Sequence, residues 1–227
     1  MEVIIENLIE GAKRARGLTV IIDVFRAFTT APFVMNNGAE KIIPVGKLEK
    51  AFELKKKNPH YLLIGERKGI KVKGFDYGNS PFEIKDVDFK GKTVVMTTSG
   101  GTQGIVNAEN ADEIMVGSFV NANATINHIK EMNPEIVTLV AIGSYGTEIR
   151  DEDGLCAKYI KESLEGKNPN FNEIKKYLRS YESSQRFFDE NKPEFPKEDF
   201  DCAMDLDRFD FALNIVKKDD VFEIIKA

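Results

Sequence analysis

Apolar and polar positions fall into short blocks of two kinds along the chain. Residues 18–24 (LTVIIDV) and 135–142 (EIVTLVAI) are almost continuously apolar and rich in β-branched side chains. Such runs suit central strands buried on both faces of a parallel sheet. Residues 2–6, 41–45, 61–64, 92–96, 113–116 and 221–225 read as further strands, with Pro44 at an edge or a strand end. Helical spacing predicts helices over about 30–37 (stopping at Gly38), Leu48–Lys57, about 102–109, 121–132 and about 154–164. A single turn with Ser80 as its cap is expected at Pro81–Ile84, and residues 11–17 read as a basic turn. In the last quarter, 171–190 reads as one charged helix, Pro193 and Pro196 break it, and 198–216 resumes a helical pattern with Phe200, Phe209 and Phe211 as core contacts. Strands alternating with helices predict a layered α/β/α fold on a largely parallel or mixed sheet, as one domain or two closely fused lobes.

Polar chemistry gathers where predicted strands end. After residues 18–24 come Arg26, Thr29 and Thr30, with Asp23 at the strand's carboxyl end, where open α/β sheets place ligands. Helix capping is the alternative for Asp23 and Thr29, and a functional role is the favoured reading for Asp23 and Arg26. After 61–64 comes GERKGIKVKGFDYGNSP, residues 65–81, in which Glu66, Arg67 and Asp76 lie among four glycines and Asn79 and Ser80 close the stretch. It has no apolar period, and carboxylate and guanidinium groups on such a loop suit a metal and an anion together. After 92–96 comes TTSGGTQG, in which Thr98, Ser99, Gly100, Gly101 and Thr102 lead into a helix, a build that suits phosphate. The lysine of a P-loop is missing. Asp151, Glu152 and Asp153 precede a helix and suit either its dipole or a hard cation, Asp153 above all.

Composition narrows the chemistry. Of 227 residues, 42% are apolar and 30% charged, ordinary values for a globular protein, and the net charge of −5 argues against nucleic-acid binding. An anionic substrate must then be drawn in by local cations. Cys156 and Cys202 are the two cysteines, with no zinc spacing, and free thiols are expected. No membrane span or signal-peptide pattern is seen, which gives a cytoplasmic expectation. His60 and His128 lie outside the polar clusters, and no Ser-His-Asp set, C-x5-R loop, D-x-D start or dinucleotide fingerprint is present. What remains is metal-assisted chemistry on a phosphate ester.

The stretches IDVFRAFTT, GERKGIKVKGFDYGNSP and TTSGGTQG, with DEDGLCA as a weaker fourth, resemble the 2-phosphosulfolactate phosphatase (ComB-like) family over most of the chain. The resemblance implies Mg²⁺-dependent hydrolysis of 2-phospho-3-sulfolactate to 3-sulfolactate and phosphate, a step in coenzyme M biosynthesis, in an α/β fold distinct from the common phosphatase folds. Phe28, where relatives often have a small residue, and the longer turn at Thr98–Thr102 depart from the family pattern. Asp23, Glu66, Asp76 and Asp153 are the candidate Mg²⁺ ligands, Arg26 and Arg67 the candidate clamp on phosphate and the other acidic groups. Asp23, Arg26, Glu66 and Arg67 are the expected catalytic set. Thr29, Thr30, Asn79, Ser80 and the turn from Thr98 to Thr102 are expected to contact substrate. Water is the favoured nucleophile, with Asp23 or a hydroxyl left open. The alternatives are a phosphatase of the same fold for another small phosphorylated acid, and a non-catalytic protein that binds an anionic metabolite. A homodimer is compatible with a small acidic α/β enzyme.

Overall fold

Every residue of Leu18–Ile22 is buried, and its side chains divide between two cores: Ile21 points into one, Leu18, Val20 and Ile22 into the other. This alternation is the strand's own period of two, so helices must cover both faces. In the computed structural model, which describes residues 1–219 and 221–227, they do. The strands are β1 (Glu2–Asn7), β2 (Leu18–Ile22), β3 (Lys41–Pro44), β4 (Leu62–Arg67), β5 (Ile70–Lys71), β6 (Thr93–Thr97), β7 (Glu113–Gly117), β8 (Ile136–Ala141), β9 (Leu213–Lys218) and β10 (Val221–Lys226). The helices are α1 (Leu8–Arg14), α2 (Ala27–Asn36), α3 (Leu48–Lys57), α4 (Pro81–Ile84), α5 (Gly101–Asn107), α6 (Ala122–Met132), α7 (Asp151–Leu164), α8 (Phe171–Ser180) and α9 (Lys197–Ala203). Short 3₁₀ segments occupy Phe119–Asn121 and Glu182–Phe188. The result is a mixed, layered α/β/α fold. Among the described residues no helix is long and apolar enough to cross a membrane.

One ten-stranded sheet runs β1-β8-β2-β7-β9-β10-β3-β6-β4-β5. β1, β8, β2 and β7 are mutually parallel, as are β3, β6 and β4. The hairpin β9-β10 joins the two groups through antiparallel pairings at each step. The two parallel groups therefore run in opposite senses along the hydrogen-bond ladder. Five steps separate β2 from β6, and at about 20–25° of twist per step their axes turn by roughly 100–125°. Reversal and twist together leave the two strand directions roughly 55–80° apart, so the carboxyl ends of β2, β8, β4 and β6 converge.

Three stretches depart from the sequence expectation. Residues 11–17 are not a basic turn: α1 runs through Arg14, with Gly11 and Ala12 buried and Arg14 paired to Glu6 at 2.6 Å. A seven-residue helix interrupted by glycine shows too little periodicity to be read. Residues 171–190 break at Tyr181 into α8 and a 3₁₀ segment. Residues 198–216 divide into α9, an irregular link and β9. The pairing of Leu213 with both Val116 and Lys226 makes the end of this segment a central strand, and Phe209 and Phe211, two residues apart, carry no helical period. Phe200 and Phe209 are buried, as expected of core contacts.

Candidate active site

The site is built at two junctions that bond to each other. Asp23 follows β2, and its Oδ1 accepts the N–H of Ala27 at 3.1 Å, so it does cap α2. Its Oδ2 accepts the N–H of Gly101 from the other half of the sheet at 2.9 Å. That approach requires glycine: a Cβ at position 101 would lie 2.7 Å from the Ala27 Cβ and 2.9 Å from Asp23 Oδ2. Glu66 follows Gly65, whose φ of +154° brings the backbone so near Thr97 that a Cβ would meet its carbonyl oxygen at 2.0 Å. The Glu66 carboxylate accepts the N–H groups of Ser99 and Gly69, each at 2.6 Å, and the Ser99 hydroxyl at 3.1 Å.

Asp23 and Glu66 are only 7% and 6% exposed, yet both line one open cleft. Its wall includes Phe25, Arg26, Lys68, Gly69, Asn79, Ser99, Gly100, Gly143, Ser144, Tyr145, Arg186 and Phe195. Asn79 Oδ1 is buried there without a hydrogen-bond partner. A buried amide oxygen left unpaired is costly unless something in the cleft satisfies it.

The expected site residues separate into two groups. Asp23, Arg26, Glu66, Asn79, Ser99 and Gly100 reach the cleft. Arg67 does not: its guanidinium turns back to Thr97 Oγ1 (2.8 Å) and to the carbonyls of Glu66 (2.7 Å) and Gly46 (3.3 Å). Asp76 lies elsewhere, capping the Leu63 N–H at 2.7 Å beside Lys55. Asp153 is buried behind Asp23, where its two oxygens accept the N–H groups of Val24 and Gly143, each at 2.8 Å, and tie β2 to β8. Thr29 bonds the Val24 carbonyl, and Thr30 the Asn79 carbonyl, because α2 begins at Ala27 and draws both into its buried first turn. Ser80 caps α4 and donates to Asp199 at 2.6 Å.

The hydroxyl-and-glycine turn works differently from a phosphate cradle. Thr98 and Thr102 bond each other reciprocally, and the amides of Ser99 and Gly101 serve Glu66 and Asp23. The turn orients carboxylates. Arg26 is likewise committed, to Asp199 (2.7 Å) and to the carbonyls of Glu194 (2.8 Å) and Gly69 (2.9 Å), with Phe195 under its guanidinium. Sequence reasoning missed Lys68, Phe25, Arg186 and Phe195. Gly143, Ser144 and Tyr145 carried a signal, since they follow the second strongly apolar strand.

Burial raises the Asp23 carboxyl to about 7, and the nearby negative charges of Glu66 and Glu152 add to the effect against its two N–H bonds. Asp153 is pushed well above the usual carboxylate range by burial and then by Asp23. Burial also raises the Cys156 thiol, which lies in the core away from the cleft and is no nucleophile at neutral pH. Among the described residues no group of three or more His, Cys, Asp or Glu side chains is placed to hold a metal. Asp23 and Glu66 are the carboxylates that reach the cleft.

The family model described as 2-phosphosulpholactate phosphatase matches residues 3–217. A probable 2-phosphosulfolactate phosphatase of Clostridium tetani is 36% identical over 178 residues, 76% of each chain. One of Bacillus subtilis is 33% identical over 208 residues, 90% of this chain and 89% of that one. One of Caldicellulosiruptor saccharolyticus is 43% identical over 144 residues, 62% of this chain and 60% of the other.

Proposed function

Because the chain belongs to the 2-phosphosulpholactate phosphatase family, we propose that it hydrolyses 2-phospho-3-sulfolactate to 3-sulfolactate and phosphate, in the cytoplasm and as a step toward coenzyme M. The observation that carries the reading is the meeting of Asp23 and Glu66, from opposite halves of the sheet, on one cleft whose wall also holds Lys68 and Arg186.

Mg²⁺ fits this donor set. It commonly takes one or two carboxylates and fills its octahedron with water and substrate phosphate, so a third protein ligand is not needed. Both Asp23 oxygens and Glu66 Oε1 each accept a single N–H and keep a further lone pair, whereas Glu66 Oε2 is taken up by the Gly69 N–H and the Ser99 hydroxyl, and a dication would relieve the burial of two negative charges. Asp23 and Glu66 would hold the ion. When bound, it neutralises charge on the phosphoryl oxygens and on the departing alkoxide. Ser99 and Gly101 fix the two carboxylates through their amides, and Gly69 fixes Glu66 from the other side. Water is the nucleophile of this reading, with attack by Asp23 itself as the alternative, and the bonding of the nearby hydroxyls supports it. The Ser99 hydroxyl is given to Glu66, the hydroxyls of Thr98 and Thr102 are turned to each other, and Cys156 is remote. The water oxygen bonds to phosphorus as the ester P–O bond breaks, and the alkoxide of 3-sulfolactate takes up a proton. Phosphate release from a panel of phosphorylated carboxylic and sulfonic acids tests the substrate. A stronger response to another member of the panel would replace 2-phospho-3-sulfolactate and keep the phosphatase.

Cation binding is expected to depend on pH with a definite sign. The Asp23 carboxyl is near 7 folded, against about 3.9 in an unfolded chain. The folded state therefore holds an extra proton between these values. The stability from this group is fully present below about 4 and is lost as pH rises through about 7. Without divalent cations, this group should lower the melting temperature from pH 5.5 to pH 8. Mg²⁺ should raise it more at pH 8 than at pH 5.5, and calorimetry near pH 7 should detect proton release on binding. A Mg²⁺ shift of equal size at both pH values would contradict the assignment of Asp23.

A further inference from the structure

We propose that Arg186 receives a second acidic group of the substrate, a sulfonate or carboxylate, and makes the cleft select phosphate esters that carry one. The proposal rests on the phosphatase reading above and names a determinant of its specificity.

The cations around the cleft are not equivalent. Arg26 is neutralised by Asp199 at 2.7 Å, and its remaining contacts are backbone carbonyls and Phe195. Lys68 lies at the solvent-facing rim, and an exposed ammonium is well hydrated without a partner. Arg186 differs from both. It comes from the 3₁₀ segment Glu182–Phe188, packed by Phe187 into the core, and it lines the cleft. Its Nε is buried and unpartnered, and its single side-chain hydrogen bond, to the Phe25 carbonyl, is a long 3.5 Å.

Among the described residues no carboxylate lies within ion-pair distance of Arg186. Glu152, the carboxylate whose field it feels most, is bonded to Ser183 at 2.8 Å. Phe187 and Phe195 flank the guanidinium at 5.1 and 5.0 Å. They pack against it but do not neutralise it.

A partly buried guanidinium with an unpaired Nε and no ion-pair partner is unfavourable, and burial disfavours its charged form. An anion in the cleft removes that cost. The planar fork of Arg matches the paired oxygens of a carboxylate or sulfonate. The phosphoryl group has its own place at Asp23 and Glu66, where bare carboxylates repel any anion that is not metal-bound. With the phosphoryl group assigned to Asp23 and Glu66, Arg186 is the partly buried cation of the cleft wall that stays without an ion-pair partner among the described residues, and it is assigned to the substrate's other acidic arm.

The test compares 2-phospho-3-sulfolactate with glycerol 2-phosphate, which has the same three-carbon frame and hydroxyls in place of both acids. Wild type should prefer the acidic ester. In Arg186→Gln the KM for the acidic ester should rise roughly 30-fold or more, as expected for truncating one partner of a buried charge-assisted contact. kcat should change little, and the wild-type ratio of kcat/KM for the two esters should collapse by a similar factor. Arg186→Lys keeps the charge without the fork, should show the same change at reduced size, and decides the matter should the Gln variant fail to fold. Equal losses on both esters would place Arg186 at the phosphate and overturn the proposal, as would an unchanged ratio. Should wild type hydrolyse neither ester, the reaction reading falls separately. Calorimetric binding of 3-sulfolactate then decides: weakening in Arg186→Gln supports the proposal, and equal affinity overturns it.

Discussion

Asp23→Asn is expected to lower kcat for phosphate release at least about 100-fold, the scale of removing one pre-placed electrostatic group from an active site, while the fold persists. The substitution keeps the shape of the side chain but removes the negative charge on which cation binding depends. It also changes the local hydrogen bonding. Asp23 accepts N–H groups at both oxygens, and an amide can accept at only one, so either Ala27 or Gly101 loses its partner. An unsatisfied buried donor costs about 1–3 kcal/mol. Against this, the variant no longer buries a carboxylate whose ionised form the site disfavours. The two effects oppose each other, so the metal-free melting temperature at pH 8 should move little, and the Mg²⁺-induced rise should disappear. Kinetics paired with thermal melts with and without Mg²⁺ check both halves. Near-normal turnover would remove Asp23 from the chemistry.

Arg26→Ala should instead fail through the fold. Arg26 and Asp199 are an ion pair with side chains 3% and 0% exposed. Removing one member of a buried pair typically costs about 3–5 kcal/mol, because the other charge stays behind without compensation. Here the loss would spread. Asp199 also accepts the Ser80 hydroxyl and the Phe82 N–H, and Arg26 holds the Gly69 and Glu194 carbonyls. One pair thus fastens the glycine-rich loop, α4 and the C-terminal segment to the end of β2. Urea unfolding should show the loss in the midpoint. A double variant, Arg26→Met with Asp199→Leu, should recover much of it, since a well-packed apolar pair can replace a buried ionic one. Arg26→Ala with wild-type stability would show that the pair contributes nothing to the fold.

That outcome bears on what the sequence could reveal. Arg26 and Asp199 are 173 residues apart, and nothing local to either betrays the other. An arginine at a strand end therefore reads as a substrate clamp until its partner is seen. Asp153 and Thr98 raise the same difficulty. A carboxylate that ties two strands together and a threonine that closes its own turn have the same spelling as a metal ligand and a phosphate contact. What was legible was what local physics dictates: the apolar runs of β2 and β8, the Ser80 cap, and the strand-end positions of Asp23 and Glu66. The opposed halves of the sheet were not, because β9 fell inside a stretch read as helical and its antiparallel partner β7 lies about a hundred residues earlier in the chain. Arg186 was hidden because it reaches the cleft from a segment whose pattern looks like a solvated helix.

The most direct test of the central claim is phosphate release by the wild-type protein from synthetic 2-phospho-3-sulfolactate, measured with Mg²⁺, after chelation by EDTA, and after Mg²⁺ is restored. The account predicts release with Mg²⁺, loss on chelation and recovery on re-addition. No release of phosphate in the presence of Mg²⁺ would contradict it.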